Sequence, residues 1–177
     1  MIGAKPPEII FTGGATESLA LALKGVCYRP VSPTPTIVTC ALEHEAVLET
    51  CRQLNRVIGT LVHVLPVDSA GRLDCMAFER VVNDSPGSMG AVMLVNNEIG
   101  TIQPVRQIGE IVHQSGGMLL SDITQAVGKI QVDVEELGID LAAFSSHKIY
   151  GPKGVGAIFL RGGISKCEPE PLMAAGG

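Results

Sequence analysis

The 177-residue sequence predicts an α/β fold, a three-layer, mostly parallel sheet with helices on both faces. Two observations lead there. Short apolar or β-branched runs alternate with amphipathic stretches, and one of those runs, 91–95, is apolar throughout, as a strand buried on both faces requires. The first strand is expected over 8–11 and is followed by a helix over 17–24 that carries Leu19, Leu21, Ala22 and Leu23. A second strand over 36–40 precedes a helix over 45–55, in which Val47, Leu48, Cys51 and Leu54 share a face. A third strand covers 60–66. Asp74 is placed to cap a helix over 75–82. After the strand 91–95 comes a helix over 105–114, with Ile108, Ile111 and Val112 inward and Gly116 just past its end. Further strands are expected over 118–121, 141–144 and 156–160. Segments 30–35 and 84–88 read as turn-rich connections.

Composition narrows the functional classes. Hydrophobic residues make up 46% of the chain and aromatics only 3%, with no Trp, so Leu, Ile, Val and Ala must fill the core. The formal net charge is −5 and no Lys/Arg cluster stands out, which argues against nucleic-acid binding. No apolar stretch reaches the roughly 20 residues a membrane span needs, and no secretory signal is visible, so a soluble intracellular protein is expected. Five cysteines, at 27, 40, 51, 75 and 167, form no CxxC pair and fit reduced thiols. Cys40 and His44 have helical spacing, but no second pair accompanies them and no metal site is expected.

Five segments carry candidate chemistry. In Ser145-Ser146-His147-Lys148-Ile149-Tyr150-Gly151-Pro152-Lys153-Gly154, a lysine sits in a polar, Gly-rich turn after an apolar run. A lysine partly buried among suitable neighbours loses its proton near neutral pH and can form a Schiff base. In Phe11-Thr12-Gly13-Gly14-Ala15-Thr16-Glu17-Ser18, glycines and a helix start offer free N–H groups to an anion, with Thr16 as hydroxyl donor or helix cap. The other three are Glu43-His44-Glu45-Ala46-Val47, Asn96-Asn97-Glu98-Ile99-Gly100 and Asp122-Ile123-Thr124-Gln125. Taken singly, His44 reads as a surface or satisfied histidine, Asn97 as a residue that satisfies turn backbone and Asp122 as a helix cap or turn residue. In open α/β sheets, however, ligands gather at the carboxyl ends of strands, and each of these segments follows a predicted strand. The order Gly-Pro-Lys-Gly is not a Walker loop, and no GxGxxG follows a strand, so a nucleotide binder is disfavoured.

In this order, over roughly residues 2–162, the five segments resemble the cysteine desulfurase and selenocysteine lyase family. These are fold-type-I, pyridoxal-phosphate-dependent enzymes of the class-V aminotransferase group. The resemblance implies pyridoxal 5'-phosphate as cofactor. It gives the phosphate to Ala15, Thr16, Ser145 and His147, and the Schiff base and α-proton transfer to Lys148. It gives His44 a stacking and proton-transfer role, and gives the pyridine nitrogen to Asp122. Asn97 and Gln125 would contact the ring hydroxyl. Lys129 and Lys153 are rivals to Lys148 but do not occupy the family's lysine position. Gly13 stands where the family commonly has Ser. The implied substrate is L-cysteine, or selenocysteine, in a homodimer that passes sulfur to an acceptor or scaffold protein for iron–sulfur or thio-cofactor synthesis. The expected compartment is the cytoplasm or the mitochondrial matrix.

Set against the family, residues 1–177 read as a partial pyridoxal-phosphate-binding large domain. The family's N-terminal segment, its small domain with the persulfide-forming cysteine, and its substrate-binding arginine are expected outside them. A truncated, non-catalytic cofactor-binding or dimer-forming fragment, a selenocysteine lyase and a class-V aminotransferase are the alternatives.

Overall fold

The structure, a computed structural model, describes residues 1–29, 35–167 and 169–171. Seven strands form one sheet. They are β1 Ile9–Thr12, β2 Ile37–Cys40, β3 Val62–Leu65, β4 Met89–Ala91, β5 Met118–Asp122, β6 Leu141–Ser145 and β7 Gly156–Leu160. Their order across the sheet is β1-β7-β6-β5-β4-β2-β3. The pairs β2–β3, β2–β4, β4–β5 and β5–β6 are parallel. Only β7 runs against its neighbours, β1 and β6. Six strands therefore end at the same edge, and β7 begins there.

Helices cover both faces, because each strand alternates its side chains between two cores. On one side α1 (Ala15–Cys27) and α2 (Glu45–Ile58) bury Leu19, Leu23, Val47 and Leu54 against Ile37, Leu120, Leu141 and Ile158. On the other, α3 (Cys75–Asp84) and α4 (Val105–Gln114) bury Phe78, Val82, Ile108 and Val112 against Val38, Leu119, Ala142 and Phe159. Strands β5, β6 and β7 each send adjacent residues to opposite cores, as Leu119 and Leu120 do. A single-residue register slip would exchange the two cores, which fixes the pairing.

Helix ends follow the local chemistry. Asp74 caps α3 as the sequence predicts, its Oδ1 accepting from the Met76 and Ala77 amides at 2.9 and 3.3 Å. Helix α4 spans the predicted residues. Helix α2 runs one turn longer than expected and stops at Gly59, whose φ of 74° suits a residue without a Cβ. Of the predicted turn at 30–35, residues 30–34 lie outside the described residues.

The apolar run 91–95 departs from expectation. The strand is Met89–Ala91, so only the first residue of the predicted span lies in it. Beyond Ala91 the chain stays buried and keeps bonding to β5, with Val92 N donating to Leu120 O and Leu94 N to Asp122 O. It leaves β2 because the Met93 amide donates instead to the Glu43 carboxylate at 2.7 Å. Hydrophobicity reported burial at this point, and a side-chain acceptor ended the ladder.

Phe78 is fully enclosed between α3 and the sheet. Truncation to Ala should cost about 3–5 kcal/mol by cavity formation, read as a lower urea midpoint. Asp74→Ala, which only uncaps α3, should cost about 1 kcal/mol.

Candidate active site

A cavity of about 770 Å³ opens at the sheet edge where six strands end. All nine residues singled out from the sequence line it. Ala15 and Thr16 come from the start of α1, His44 from the start of α2, and Asn97 from the turn after β4. Asp122 and Gln125 come from β5 and its turn, and Ser145, His147 and Lys148 from the end of β6.

Helix α1 begins at Ala15 with Gly14 as N-cap and no side-chain cap. Thr16 is a first-turn residue, so the sequence-based expectation that it caps the helix is not met. The first helical bond runs from Ser18 N to Gly14 O, which leaves the amides of Ala15, Thr16 and Glu17 without intrahelical partners. Glu17 reaches back to the Gly13 amide at 2.6 Å and closes the turn from below. Opposite, Gly156 at the start of β7 packs directly on this turn. A Cβ on Gly156 would lie 2.5 Å from Gly14 Cα, so only glycine permits the approach. Ser145, buried at the end of β6, has its Oγ 2.7 Å from His147 Nδ1. Bare amides, a hydroxyl and an imidazole thus ring one end of the cavity, a donor set suited to a phosphate.

The cavity is also lined by a buried acid. Asp122 is 8% exposed, and its Oδ1 accepts from the Thr124 amide at 2.9 Å. Burial pushes its carboxyl above the usual carboxylate range, while Thr124 and His44 oppose that shift. Thr124 also lines the cavity, and its buried hydroxyl has no hydrogen-bond partner among the described residues. A buried acid beside an unpaired buried hydroxyl calls for a polar ligand. Together with the donor set at the start of α1, the residues present fit pyridoxal phosphate, which carries a basic ring nitrogen and a phosphate on one small frame.

His44 is the N-cap of α2, its Nδ1 accepting from the Ala46 amide at 3.0 Å. In the neutral ring that bond assigns the proton to Nε2. Asn96 and Asn97 divide their work. Asn96 is buried, holds the turn by accepting from the Glu98 and Ile99 amides, and donates to Leu42 O at 2.9 Å. Asn97 is left exposed to the cavity. Gln125 accepts from Lys129 Nζ through its Oε1.

Lys148 sits on the 3-10 turn Ser146–Ile149 and is exposed. The expected partial burial is therefore absent, because the turn carries it at the cavity rim. Of its two rivals, Lys153 lines the cavity and Lys129 does not. Sequence reasoning missed Thr124, Met93 and Val95 as lining residues. Their signal was present, since Met93, Val95 and Asn97 are spaced by two and an extended segment turns such residues to one side. No cysteine lines the cavity. Cys27, Cys40 and Cys51 are buried, Cys75 and Cys167 are half-buried, and burial raises the thiol pKa of all five.

The whole chain, residues 1–177, matches the class-V aminotransferase family. The protein belongs to that family. Members of this class-V aminotransferase group and its cysteine desulfurases are pyridoxal-phosphate dependent. Among similar proteins is the cysteine desulfurase IscS of Rickettsia massiliae (strain Mtu5), 43% identical over 177 residues, which cover all of this chain and 42% of that protein. Another is a probable mitochondrial cysteine desulfurase of Dictyostelium discoideum, 43% identical over all of this chain and 39% of that protein. The chain thus spans about two-fifths of the length of these curated relatives. Among solved structures, a NifS-like protein superposes with a TM-score of 0.90 at 40% identity, covering 99% of this chain and 47% of that one. SspA in complex with cysteine gives 0.92 at 36% identity, covering 99% and 50%. The class-V aminotransferase fold read from the sequence is the fold observed.

Gly156→Ala should force the Gly14 turn aside and disturb the donor set at the start of α1. The expected result is pyridoxal phosphate affinity lowered on the order of tenfold or more with the fold retained, measured by titrating the cofactor's absorbance beside a circular dichroism spectrum.

Proposed function

We propose that the chain is the cofactor-binding part of a cysteine desulfurase-like enzyme. In the whole enzyme, L-cysteine and an enzyme thiol would give L-alanine and an enzyme persulfide, the sulfur then serving iron–sulfur cluster or thio-cofactor synthesis. The observation that supports this reading best is the meeting of nine residues, from the ends of β1, β2, β4, β5 and β6, around one cavity with a buried acid at its floor.

When bound, pyridoxal phosphate supplies an aldehyde for capture by an amine and a ring that draws electrons from the substrate α-carbon. Lys148 would provide the amine and would be the group that moves the α-proton. Asp122 keeps a proton on the ring nitrogen, which its burial favours by strengthening every charge interaction around it. His44, with its proton on Nε2, is the second proton-transfer group. The amides of Ala15 and Thr16, with Ser145 and His147, hold the phosphate, and Asn97 and Gln125 serve the ring hydroxyl. The persulfide sulfur, the arrangement as a homodimer and the sulfur acceptor belong to this same reading of the whole enzyme. So does its compartment, cytoplasm or mitochondrial matrix. Among the described residues no helix is long and apolar enough to cross a membrane.

A second reading has its own support. Among the described residues no thiol lines the cavity, and burial raises the pKa of all five thiols, so these residues offer no sulfur acceptor at the site. On that reading the chain binds the cofactor without completing desulfuration.

Adding pyridoxal phosphate to the 177-residue chain should produce the visible band of a lysine-linked cofactor. Lys148→Ala should abolish the band, and Lys153→Ala should keep it. A band that survives Lys148→Ala and disappears in Lys153→Ala would reassign the amine. A band without sulfide release from L-cysteine favours the binding-only reading. Selenide or keto-acid production would point to a lyase or aminotransferase instead.

A further inference from the structure

The acid that precedes His44 does not line the cavity and has no part in the chemistry above, yet it is buried and bonded to a residue that does. Glu43 is 7% exposed. Its Oε1 accepts from the Met93 amide at 2.7 Å and from the Cys40 thiol at 3.5 Å. The first of these bonds joins two segments far apart in sequence, the turn between β2 and α2 and the chain leaving β4. A second tie, Asn96 Nδ2 to Leu42 O at 2.9 Å, joins the same segments. Both segments deliver residues to the cavity, His44 from one and Met93, Val95 and Asn97 from the other. Glu43 is also the group that ends the β4 ladder, so the path of the second segment depends on it.

We propose that Glu43 is a positioning residue that locks the His44 turn to the Met93–Asn97 segment and so sets two walls of the cavity against each other. The proposal rests on reading this cavity as a pyridoxal phosphate site.

The surroundings define the form in which Glu43 acts. The titratable groups around it are Cys40 on β2, Cys51 on α2 and Asp122 on β5, with His44 beside it, and no lysine or arginine is among the charges acting on it. Burial, reinforced by the charge of Asp122, pushes the Glu43 carboxyl up to about 8, with the Met93 amide opposing. Two neighbouring buried carboxyls do not both ionise freely. Because the folded value of about 8 exceeds the ordinary 4.5, the folded chain holds a proton that the unfolded chain releases between them. The stability Glu43 contributes is therefore full below about 4.5 and declines as pH rises towards 8.

A glutamine keeps the acceptor for the Met93 amide and cannot titrate, whereas an alanine removes the acceptor. The 177-residue chain, Glu43→Gln and Glu43→Ala would be compared in three measurements. Melting temperature without cofactor is followed from pH 5.5 to 9. Pyridoxal phosphate affinity is measured at pH 7. The Cε1–H resonance of His44, assigned by its loss in His44→Ala, is recorded in the cofactor-free chain. The expected result is that wild type loses melting temperature relative to Glu43→Gln as pH rises, that Gln binds the cofactor within about threefold of wild type, and that Ala binds on the order of tenfold more weakly. The His44 resonance should move in Ala and stay in Gln. A melting-temperature difference that is flat with pH, or Gln and Ala with the same affinity and the same His44 resonance, would overturn the proposal. Should Ala not fold, the Gln measurements decide it alone. If wild type takes up no pyridoxal phosphate, the cofactor reading fails, while the pH difference and the His44 resonance still judge Glu43.

Discussion

Parallel pairing is the constraint from which the site follows. Strands that run the same way must all end at one edge, and the connections leaving that edge are the turns that carry His44, Asn97 and Asp122, with Ala15 and Lys148 beyond the flanking strands. No one segment holds enough chemistry to define a ligand, and the sheet brings the segments to one place. The exception in direction contributes as well. Strand β7 alone is reversed, so its first residue, Gly156, lies at the edge where the others finish, in contact with the Gly14 turn. A seventh strand in the common direction would have put a chain end, not a glycine floor, beneath the helix α1 amides.

Around the cavity the motifs share an arrangement in which one residue holds the backbone and its neighbour faces the ligand space. Asn96 ties its turn to Leu42 and leaves Asn97 to the cavity. Glu43 fixes the Met93 amide and leaves His44 free to cap α2 and line the site. Ser146 donates to Pro152 O and accepts from the Gly151 amide, folding the turn on which Ser145, His147 and Lys148 sit. The reason is that every one of these turns is partly buried, and a buried backbone donor or acceptor without a partner is costly. A polar side chain inside the turn satisfies that demand locally, and the residue next to it is then held with little remaining freedom.

This division explains what was legible in the sequence. The α/β class followed from periodicity, and α4 and β7 were read with their observed ends because both are bounded by turn residues and have unbroken patterns. The cavity-lining residues were legible because they sit at strand ends in recognisable segments. The extent of β4 was not, since an apolar run reports burial and is silent on which amides stay in the ladder; that depended on Glu43, 50 residues earlier in the chain. Thr16 as a cap failed for a related reason, because residue type alone does not say whether helix α1 begins at residue 15 or 17. The exposure of Lys148 was likewise out of reach, being a property of the 3-10 turn that carries it at the rim.

The electrostatics of the cavity then bear on the kind of ligand it accepts. Two buried carboxyls lie here, Asp122 in the cavity lining and Glu43 bonded to the amide of the lining residue Met93, and no lysine or arginine pairs with either among the described residues. Left alone, both are driven towards the neutral form. A ligand anion set beside these acids would gain no cationic partner. One that brought a protonated nitrogen would pair with Asp122, while its anionic group would find amides and a hydroxyl where the start of α1 adds the positive end of its dipole. The cavity thus combines an acid from β5 with donors from the start of α1. A molecule that carries both a cationic and an anionic group satisfies both, and a protonated pyridine carrying a phosphate is such a molecule.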